Sequence, residues 1–346
     1  MFCPKKAILV LGGAGYIGSH SSYLLSQLGY EVIIVDKLLH GQTFNHSWAK
    51  LIKTDFANEE ILNIIFDKFE IEAVMHFAAL IEVGESVKRP ADFYENNVIK
   101  TLKFLNLMLK KNVKNFIFSS SCAVYGDPIK IPMDENHPKN PVSPYGKNKL
   151  AVEYALQDYA HAYGLKYVSL RYFNASGALP EQNLGEQHNP ETHIIPLMLR
   201  AIKNKKKFKI FGTDYDSVDG TCVRDYIHVL DIAHAHILAL QYLNDRNNSD
   251  CFNLGTGNGL TVGQMINAAE KITAQKLITK NYPRRAGDST ALVADYSKAK
   301  KVLGWEPENS DINFILKTAW QWENEALNGL KAVVSARNSS KPTLLR

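Results

Sequence analysis

The chain has 346 residues, of which 45% are hydrophobic and 22% charged, and its formal net charge is +5. This composition predicts a globular protein with a sizeable core, and the lysine-rich segment Asn204–Lys209 is interpreted as a solvated helix end rather than a nucleic-acid patch. The cysteines are scattered without a C-x-x-C pair, which argues against a disulfide framework and a zinc site and favours a reducing compartment. No apolar run has the length of a membrane span, and Ala7–Leu11 is too short for a signal sequence, so we expect a cytoplasmic protein.

Short apolar runs alternate with amphipathic helical patterns in the first half of the chain. The runs lack strict polar alternation, which is typical of strands covered on both faces. Alternating strands and helices predict right-handed crossovers and a doubly wound parallel sheet, the α/β Rossmann fold. The predicted strands are Ala7–Leu11, Glu31–Val35, Leu51–Lys53, Ala73–Phe77, Asn115–Ser119 and Lys166–Arg171, and the predicted helices include Glu59–Phe69, Asp92–Lys110 and Tyr145–Tyr163.

The character of the sequence changes after about Ala175, where we predict a smaller mixed α/β domain. Ala178–Pro190 is rich in Gly, Pro, Asn and Glu, and is interpreted as a long loop that contributes to a site. A helix at Ile194–Lys203 and a short strand at Phe208–Phe211 follow. We expect a first domain at residues 1–175 with 225–254 returning to it, a second domain at 176–335, and a flexible tail at 336–346.

A glycine-rich segment directly follows the first predicted strand. Gly12, Gly15 and Gly18 have the spacing G-x-x-G-x-x-G and stand before a helical pattern. Glycines at these points permit a tight turn, close approach of the backbone to a pyrophosphate, and close packing of helix on strand. Asp36 ends the next strand, where a carboxylate binds a ribose 2′-OH and repels a 2′-phosphate. We therefore predict NAD binding, although Asp36 could also be a turn residue at a strand end.

A serine-rich strand end and a Tyr–Lys pair predict redox chemistry. Ser121 follows the strand Asn115–Ser119, at the edge where parallel sheets present ligands. Tyr145 and Lys149 are spaced i, i+4, so they share one face of a helix. A nearby ammonium group and a cationic nicotinamide would lower the pKa of the phenol and make Tyr145 a general base. Taken without the other features, this pair would be an ordinary pair on a helix surface.

Together these features resemble the extended short-chain dehydrogenase/reductases, and most closely the family of UDP-glucose (UDP-galactose) 4-epimerases. The resemblance extends from Ala7 to about Trp322, and its last two segments together indicate a 4-epimerase. The segments are G-G-A-G-Y-I-G-S-H (Gly12–His20), H-F-A-A-L (His76–Leu80), V-G-E-S-V (Val83–Val87), N-F-I-F-S-S-S (Asn115–Ser121), S-P-Y-G-K (Ser143–Lys147), L-R-Y-F-N (Leu170–Asn174), D-G-T-C-V-R-D-Y-I-H-V (Asp219–Val229) and R-R-A-G-D (Arg284–Asp288).

The resemblance implies reversible epimerisation of UDP-glucose and UDP-galactose at C4, with a tightly bound NAD in the first domain and the UDP-sugar in the second. Tyr145 would take the proton of the sugar 4-OH while hydride passes to NAD. A 4-keto intermediate would then turn over, and hydride would return to its opposite face. Ser121 would position the oxygen, and Lys149 would bind the nicotinamide ribose. The helices Asp92–Lys110 and Tyr145–Tyr163 would form a homodimer interface.

The resemblance also implies two sets of binding residues, in which the two arginines serve the diphosphate. Some have simpler interpretations, since Phe77 and the alanines could be core and Arg224 and Arg285 could form surface ion pairs. The cofactor contacts would be Gly12, Gly15, Tyr16, Ile17, Gly18, Asp36, Asp55, Phe56, Phe77, Ala78, Ala79, Asn97, Tyr145 and Lys149. The substrate contacts would be Ser121, Tyr145, Asn174, His193, Ile194, Phe211, Arg224, Arg285, Asp288 and Leu292.

Three positions depart from the best-known family pattern. Ile81 stands where some members place a lysine near the cofactor. His193 stands where some relatives have asparagine; we interpret it as a substrate-loop residue and expect no metal role for it with His188. Leu292 stands where tyrosine accompanies restriction to glucose and galactose, and where a smaller residue accompanies use of N-acetyl sugars. We therefore expect weak activity on UDP-N-acetylglucosamine.

Other functions on the same scaffold remain alternatives. One is 4-epimerisation of another UDP-sugar, namely UDP-N-acetylglucosamine, a UDP-uronic acid or a UDP-pentose. Another is a 4,6-dehydratase, but those enzymes place Asp-Glu beside the catalytic serine, where this chain has Cys122 and Ala123. A third is a non-catalytic NAD-binding interaction protein, which would typically have lost Tyr145 or Lys149.

Overall fold

The computed structural model describes residues 6–39, 47–285 and 288–326. Within these ranges the strands are β1 (Ala7–Leu11), β2 (Glu31–Asp36), β3 (Lys50–Lys53), β4 (Ile71–His76), β5 (Asn115–Ser121), β6 (Lys166–Tyr172), β7 (Asn174–Ser176), β8 (Phe208–Phe211), β9 (Val223–His228), β10 (Asp250–Leu254), β11 (Gly259–Thr261), β12 (Thr279–Tyr282) and β13 (Ala291–Leu292). The helices are α1 (Tyr16–Gln27), α2 (Glu59–Lys68), α3 (Val83–Lys88), α4 (Pro90–Tyr94), α5 (Lys100–Lys110), α6 (Pro144–Tyr163), α7 (Ile194–Lys203), α8 (Val229–Arg246), α9 (Val262–Thr273), α10 (Ser297–Leu303) and α11 (Ile312–Gln321).

A seven-stranded sheet, parallel throughout, has the strand order β10-β6-β5-β4-β1-β2-β3. The chain steps outward from β1 through β2 and β3, and then returns to the other side of β1 with β4. In open α/β sheets such a reversal opens a crevice beyond the carboxyl ends of the strands, and ligands bind there. The predicted doubly wound α/β fold is therefore confirmed.

Apolar residues of each strand alternate between two cores, one on each face of this sheet. Ile8 and Val10 of β1 belong to a core that includes residues of α1 and α8. Leu9 and Leu11 belong to the opposite core, with residues of α2, α5 and α6. Because both faces are covered by helices, the strands are apolar without polar alternation, as the sequence indicated.

The remaining elements form a smaller mixed unit. In it β9 pairs antiparallel with β11 and parallel with β7 and β13, while β8 pairs parallel with β12. Met198 of α7, Met265 of α9 and Leu316 of α11 meet in a third core. No helix in the described ranges combines the length and apolar character that crossing a bilayer requires.

The segment 225–254, expected to return to the first domain, is divided between the two units. Its first residues lie in β9 of the smaller sheet, whereas α8 contributes to a core of the large sheet and β10 pairs with β6. The domain limits stay a prediction. The tail predicted at 336–346 lies outside the described residues.

The predicted helix Asp92–Lys110 is interrupted in the structure by a π-helical turn. This turn, Glu95–Ile99, joins α4 to α5. It contains Asn97, whose side-chain oxygen accepts the backbone N–H of Leu80 at 2.8 Å and whose amide donates to the Leu80 carbonyl at 2.9 Å. Single π turns within helices occur frequently at functional sites, and periodicity alone does not reveal them.

Candidate active site

The glycine loop lies where the carboxyl ends of β1 and β4 meet. Gly12 has φ +75°, and a Cβ there would lie 2.6 Å from the backbone nitrogen of Ala78. A Cβ at Gly18 would lie 2.3 Å from the carbonyl oxygen of Gly12. Only glycine fits at these two points, so the loop lies close against the sheet and α1 starts directly above it. Helix N-terminal N–H groups in this position suit a pyrophosphate.

The carboxylate of Asp36 lies beside this loop. Its Oδ2 accepts the backbone N–H of Ala14 at 3.1 Å, and its Oδ1 accepts that of Leu38 at 2.8 Å. The acid predicted to bind the ribose is thus fixed next to the loop predicted to bind the pyrophosphate. A glycine cradle and an adjacent carboxylate fit an NAD molecule, with the 2′-OH of its adenosine ribose on Asp36.

The other predicted cofactor residues lie around the same strand ends. The N–H groups of Phe77 and Ala78 both donate to the Leu11 carbonyl, at 2.8 and 3.0 Å, which holds the segment after β4 against β1. Phe56 is buried with its ring centroid 5.0 Å from that of His76. Of the remaining predicted positions, Asp55 pairs with Lys100 at 2.5 Å, Tyr16 donates to the Gly177 carbonyl at 2.6 Å, and Ile17 and Ala79 are half-buried. Ile81, which stands where some family members have a lysine, is also half-buried.

Helix α6 begins immediately before the predicted catalytic tyrosine. Ser143 caps it by accepting the Gly146 N–H at 3.1 Å, and Pro144 occupies the first turn, a favourable arrangement at a helix start. The Tyr145 hydroxyl lies near Ser121, at the end of β5, close enough for the serine to lower the pKa of the phenol. The Lys149 ammonium lies 5.7 Å from the Tyr145 ring centroid. The structure therefore brings the three predicted catalytic residues together, and their roles stay predictions.

Burial dominates the electrostatics of this group. It raises the pKa of Tyr145 to about 12, against the lowering effect of the hydrogen bond with Ser121. It lowers the pKa of Lys149 to about 7, against the raising effect of Glu153. The direction for Tyr145 is opposite to the one predicted from a nearby lysine, because desolvation disfavours the phenolate. A further positive charge beside the phenol, such as that of oxidised nicotinamide, would lower the pKa of Tyr145.

A buried ion pair behind this site was missed by the sequence analysis. Glu153 lies one turn beyond Lys149 on α6, and its Oε1 accepts from Ser120 Oγ at 2.6 Å and from Arg171 Nε at 2.9 Å. Arg171 Nη2 reaches the other carboxylate oxygen at 2.5 Å. The two side chains are 1% and 2% exposed. An acid at i+4 after the lysine, on the buried face of the helix, was the signal in the sequence.

Four of the predicted substrate residues form a second group on the smaller unit. Asp288 Oδ2 accepts a hydrogen bond from Arg285 Nε at 2.8 Å, and Asp288 Oδ1 lies 3.7 Å from Arg224 Nη2. The Arg285 guanidinium lies 5.1 Å from the ring centroid of Phe211. Both arginines thus pair with the same carboxylate, which brings their two guanidinium groups near each other. Guanidinium forks of this kind suit a diphosphate.

The other predicted substrate residues approach from neighbouring elements. Leu292 of β13 is the register partner of Arg224, and it packs against a small core that includes Val124 and Phe173. Asn174 lies on β7 beside β9. Ile194 starts α7 and packs in the third core, while the ring of His193, just before it, contacts the carboxylate of Glu186.

Comparisons with known proteins agree with this geometry. Residues 8–255 match the model of the NAD dependent epimerase/dehydratase family. A UDP-glucose 4-epimerase of Rhizobium meliloti is 49% identical over 323 residues, which cover 93% of this chain and 98% of that protein. A UDP-glucose 4-epimerase from Brucella ovis, solved in complex with NAD, has a TM-score of 0.86 at 42% identity and covers 91% of this chain and 97% of its own.

A further solved relative contains a nucleotide besides the cofactor. This is the UDP-glucose 4-epimerase from Bifidobacterium longum in complex with NAD+ and UDP, which has a TM-score of 0.86 at 36% identity. The match covers 94% of this chain and 100% of the relative's chain. The similarity therefore includes both units of the fold, the one with the glycine loop and the one with the arginine pair. The chain belongs to the NAD dependent epimerase/dehydratase family.

Proposed function

We propose that the protein interconverts UDP-glucose and UDP-galactose at C4 of the hexose, with NAD held in the crevice above β1 and β4. The observation that carries the proposal is the position of Tyr145, near Ser121 and with the buried Lys149 ammonium 5.7 Å from its ring centroid. An acid–base hydroxyl, a second hydroxyl and an ammonium group at the carboxyl end of a parallel sheet are the groups that oxidation of a secondary alcohol needs. The relatives named above, which are UDP-glucose 4-epimerases, support the choice of sugar.

Each group has a separate task in this reaction. Bound NAD supplies the acceptor and later the donor of the hydrogen at C4. Tyr145 removes the proton of the 4-OH. It returns this proton after the 4-keto sugar has rotated in the site to present its opposite face. Ser121 holds the same oxygen, and the positive charge of Lys149 favours the phenolate. Arg224 and Arg285 hold the diphosphate, so that the sugar turns while the nucleotide stays fixed.

The direct test is to incubate the purified protein with UDP-galactose and identify the product. We expect UDP-glucose, together with absorbance of protein-bound NADH during turnover. Formation of a 4-keto-6-deoxy sugar would instead indicate the dehydratase alternative. Absence of any product with NAD bound would support a non-catalytic NAD-binding protein and contradict the proposal.

Substitution of Leu292 tests which sugars fit. Leu292 and Cys122, the residue after Ser121, both pack against the small core that includes Val124 and Phe173, so a change in the size of Leu292 alters the packing on that side of the site. Leu292→Tyr is expected to abolish the weak activity on UDP-N-acetylglucosamine and to spare UDP-glucose, because a clash excludes an added group strongly. Leu292→Cys, the matched control, should raise the N-acetyl activity. Specificity constants for both sugar pairs measure this, and equal losses on both would mean that Leu292 serves core packing alone.

We also propose a cytoplasmic homodimer formed through the helices around α5 and α6. Large apolar side chains lie exposed on these elements, among them Tyr94, Ile99 and Tyr154. Light scattering should give the mass of a dimer at micromolar concentration, and Tyr154→Glu should shift it toward monomer. Val218→Glu, at an exposed apolar position on the smaller unit, should leave the mass unchanged. If light scattering shows that the protein without substitutions is a monomer at micromolar concentration, the proposal is contradicted.

A further inference from the structure

The loop before α7 gathers two histidines and two glutamates around one point. One ligand atom from each of Glu186, His188, Glu191 and His193 lies within 4.8 Å of all the others. Glu186 Oε1 is 3.2 Å from His188 Nδ1, which is 3.8 Å from Glu191 Oε1. The same Glu186 oxygen contacts His193 Nδ1. This cluster was not predicted, and no metal role was expected for His193 with His188, because the sequence does not set the mutual geometry of four positions in an irregular loop.

Both carboxylates of the cluster are buried. The side chains of Glu186 and Glu191 are 6% and 4% exposed. Glu191 Oε2 is buried and makes no hydrogen bond with the described residues. It lies 3.4 Å from Arg200 Nη2, but Arg200 also pairs with Glu323 through its Nε, at 2.8 Å. The single guanidinium of Arg200 therefore pairs with the carboxylates of both Glu191 and Glu323, and it offsets only one of their two negative charges. Burying the other negative charge is costly unless a further positive charge lies nearby.

We propose that these four side chains bind one divalent transition-metal ion of the zinc class. Imidazole nitrogens and carboxylate oxygens are donors that Zn²⁺ accepts in a four-coordinate site. Bond lengths of about 2.0–2.2 Å place tetrahedral ligand atoms roughly 3.4 Å apart. The ligand atoms of the cluster, which all lie within 4.8 Å of one another, would move closer by at most roughly 1.4 Å for any pair. Two neutral imidazoles and a divalent cation balance the two carboxylates.

Surrounding contacts hold the ligands in place. Glu191 Oε1 accepts the backbone N–H groups of Thr192 and His193 at 2.9 and 3.0 Å. Trp322 Nε1 donates to the carbonyl of Glu186 at 3.0 Å. Such outer contacts orient metal ligands and raise affinity. The ion would tie the long loop to the start of α7, which gives it a structural role next to the predicted substrate residue Ile194, while His193, also predicted to contact the substrate, would serve as a ligand.

The competing explanation is a cluster without metal, in which protonated histidines offset the carboxylates. The two arrangements differ in whether a metal ion binds stoichiometrically. Untagged protein is treated with EDTA, exchanged into metal-free buffer and titrated with ZnCl₂ by calorimetry. We expect one equivalent to bind, a higher melting temperature in proportion to the logarithm of free zinc, and a visible absorption band when Co²⁺ is used instead. Binding of less than stoichiometric zinc would overturn the proposal.

Substitutions assign the binding to this cluster. His188→Gln removes a ligand that is outside the proposed catalytic and substrate groups, and Glu191→Gln removes a second one. Each is expected to weaken zinc affinity by at least about 10–100-fold and to abolish the cobalt band. His161→Gln, at an exposed position on α6, is the matched control and should bind zinc normally. Unchanged zinc affinity in His188→Gln, or an equal loss in His161→Gln, would contradict the assignment.

Discussion

Replacing Tyr145 by phenylalanine is expected to lower kcat by about 10²–10⁴-fold while NAD stays bound. The substitution removes only the hydroxyl, which lies near Ser121. The backbone N–H of residue 145 still donates to Ser86 Oγ at 3.2 Å, and Lys149 still donates to the Ser119 carbonyl at 2.6 Å, so the start of α6 is unchanged. The loss would therefore report the missing proton transfer rather than a damaged fold.

The measurement is turnover of UDP-galactose beside the NAD content of the purified variant. Tyr163→Phe, at the exposed end of the same helix, is the matched control and should keep the rate of the unchanged protein. A Tyr145→Phe variant that epimerises at nearly the original rate would remove Tyr145 from the mechanism. A variant that has lost NAD would show that the hydroxyl holds the cofactor instead.

Replacing Glu153 by glutamine is expected to lower the free energy of unfolding by about 3–5 kcal/mol. Glutamine keeps the size of the side chain and a hydrogen-bond acceptor for Ser120, but it removes the charge that Arg171 faces in the core. An unpaired guanidinium at a buried position carries most of the desolvation cost that the pair had offset. The effect is large because Arg171 is among the largest fully buried side chains of the described residues.

Urea unfolding at a fixed NAD concentration measures this change. Asp158→Asn, at an exposed position on the same helix, is the control and should change stability by less than about 0.5 kcal/mol. The double variant Glu153→Gln/Arg171→Met should recover much of the loss, since no charge is left unpaired. A stability of Glu153→Gln equal to that of the control would mean that solvent reaches Arg171 and that the pair contributes little.

Features that depend on short stretches of sequence could be predicted from it. The glycine spacing before a helical pattern requires a tight turn, and the structure has Gly12 at φ +75°. The spacing of Tyr145 and Lys149 on one helix fixes their shared face, and the structure places both in α6. Apolar runs without alternation predicted the covered parallel sheet. The family and its dependence on NAD, also predicted, are confirmed by the matches reported above.

Features that depend on contacts between distant segments were decided only by the tertiary structure. The burial that raises the pKa of Tyr145 comes from elements packed around α6, and no spacing within the sequence measures it. Asp288 links Arg285 to Arg224 only because β13 pairs with β9. The interruption at Glu95–Ile99 was hidden for the same reason, since it accompanies bonds from Asn97 to a different loop.

By itself, the sequence determined the first six strands of the large sheet, the glycine turn and the shared helix face of Tyr145 and Lys149, because backbone geometry and helix periodicity act over a few residues. The tertiary structure decided the Glu153–Arg171 pair and the cluster around Glu186. In the first case two charges from α6 and β6 meet in the core, and in the second an irregular loop folds four side chains onto one point. A charge in the low-dielectric interior is costly unless an opposite charge lies close to it. That partner can come from any distance along the sequence.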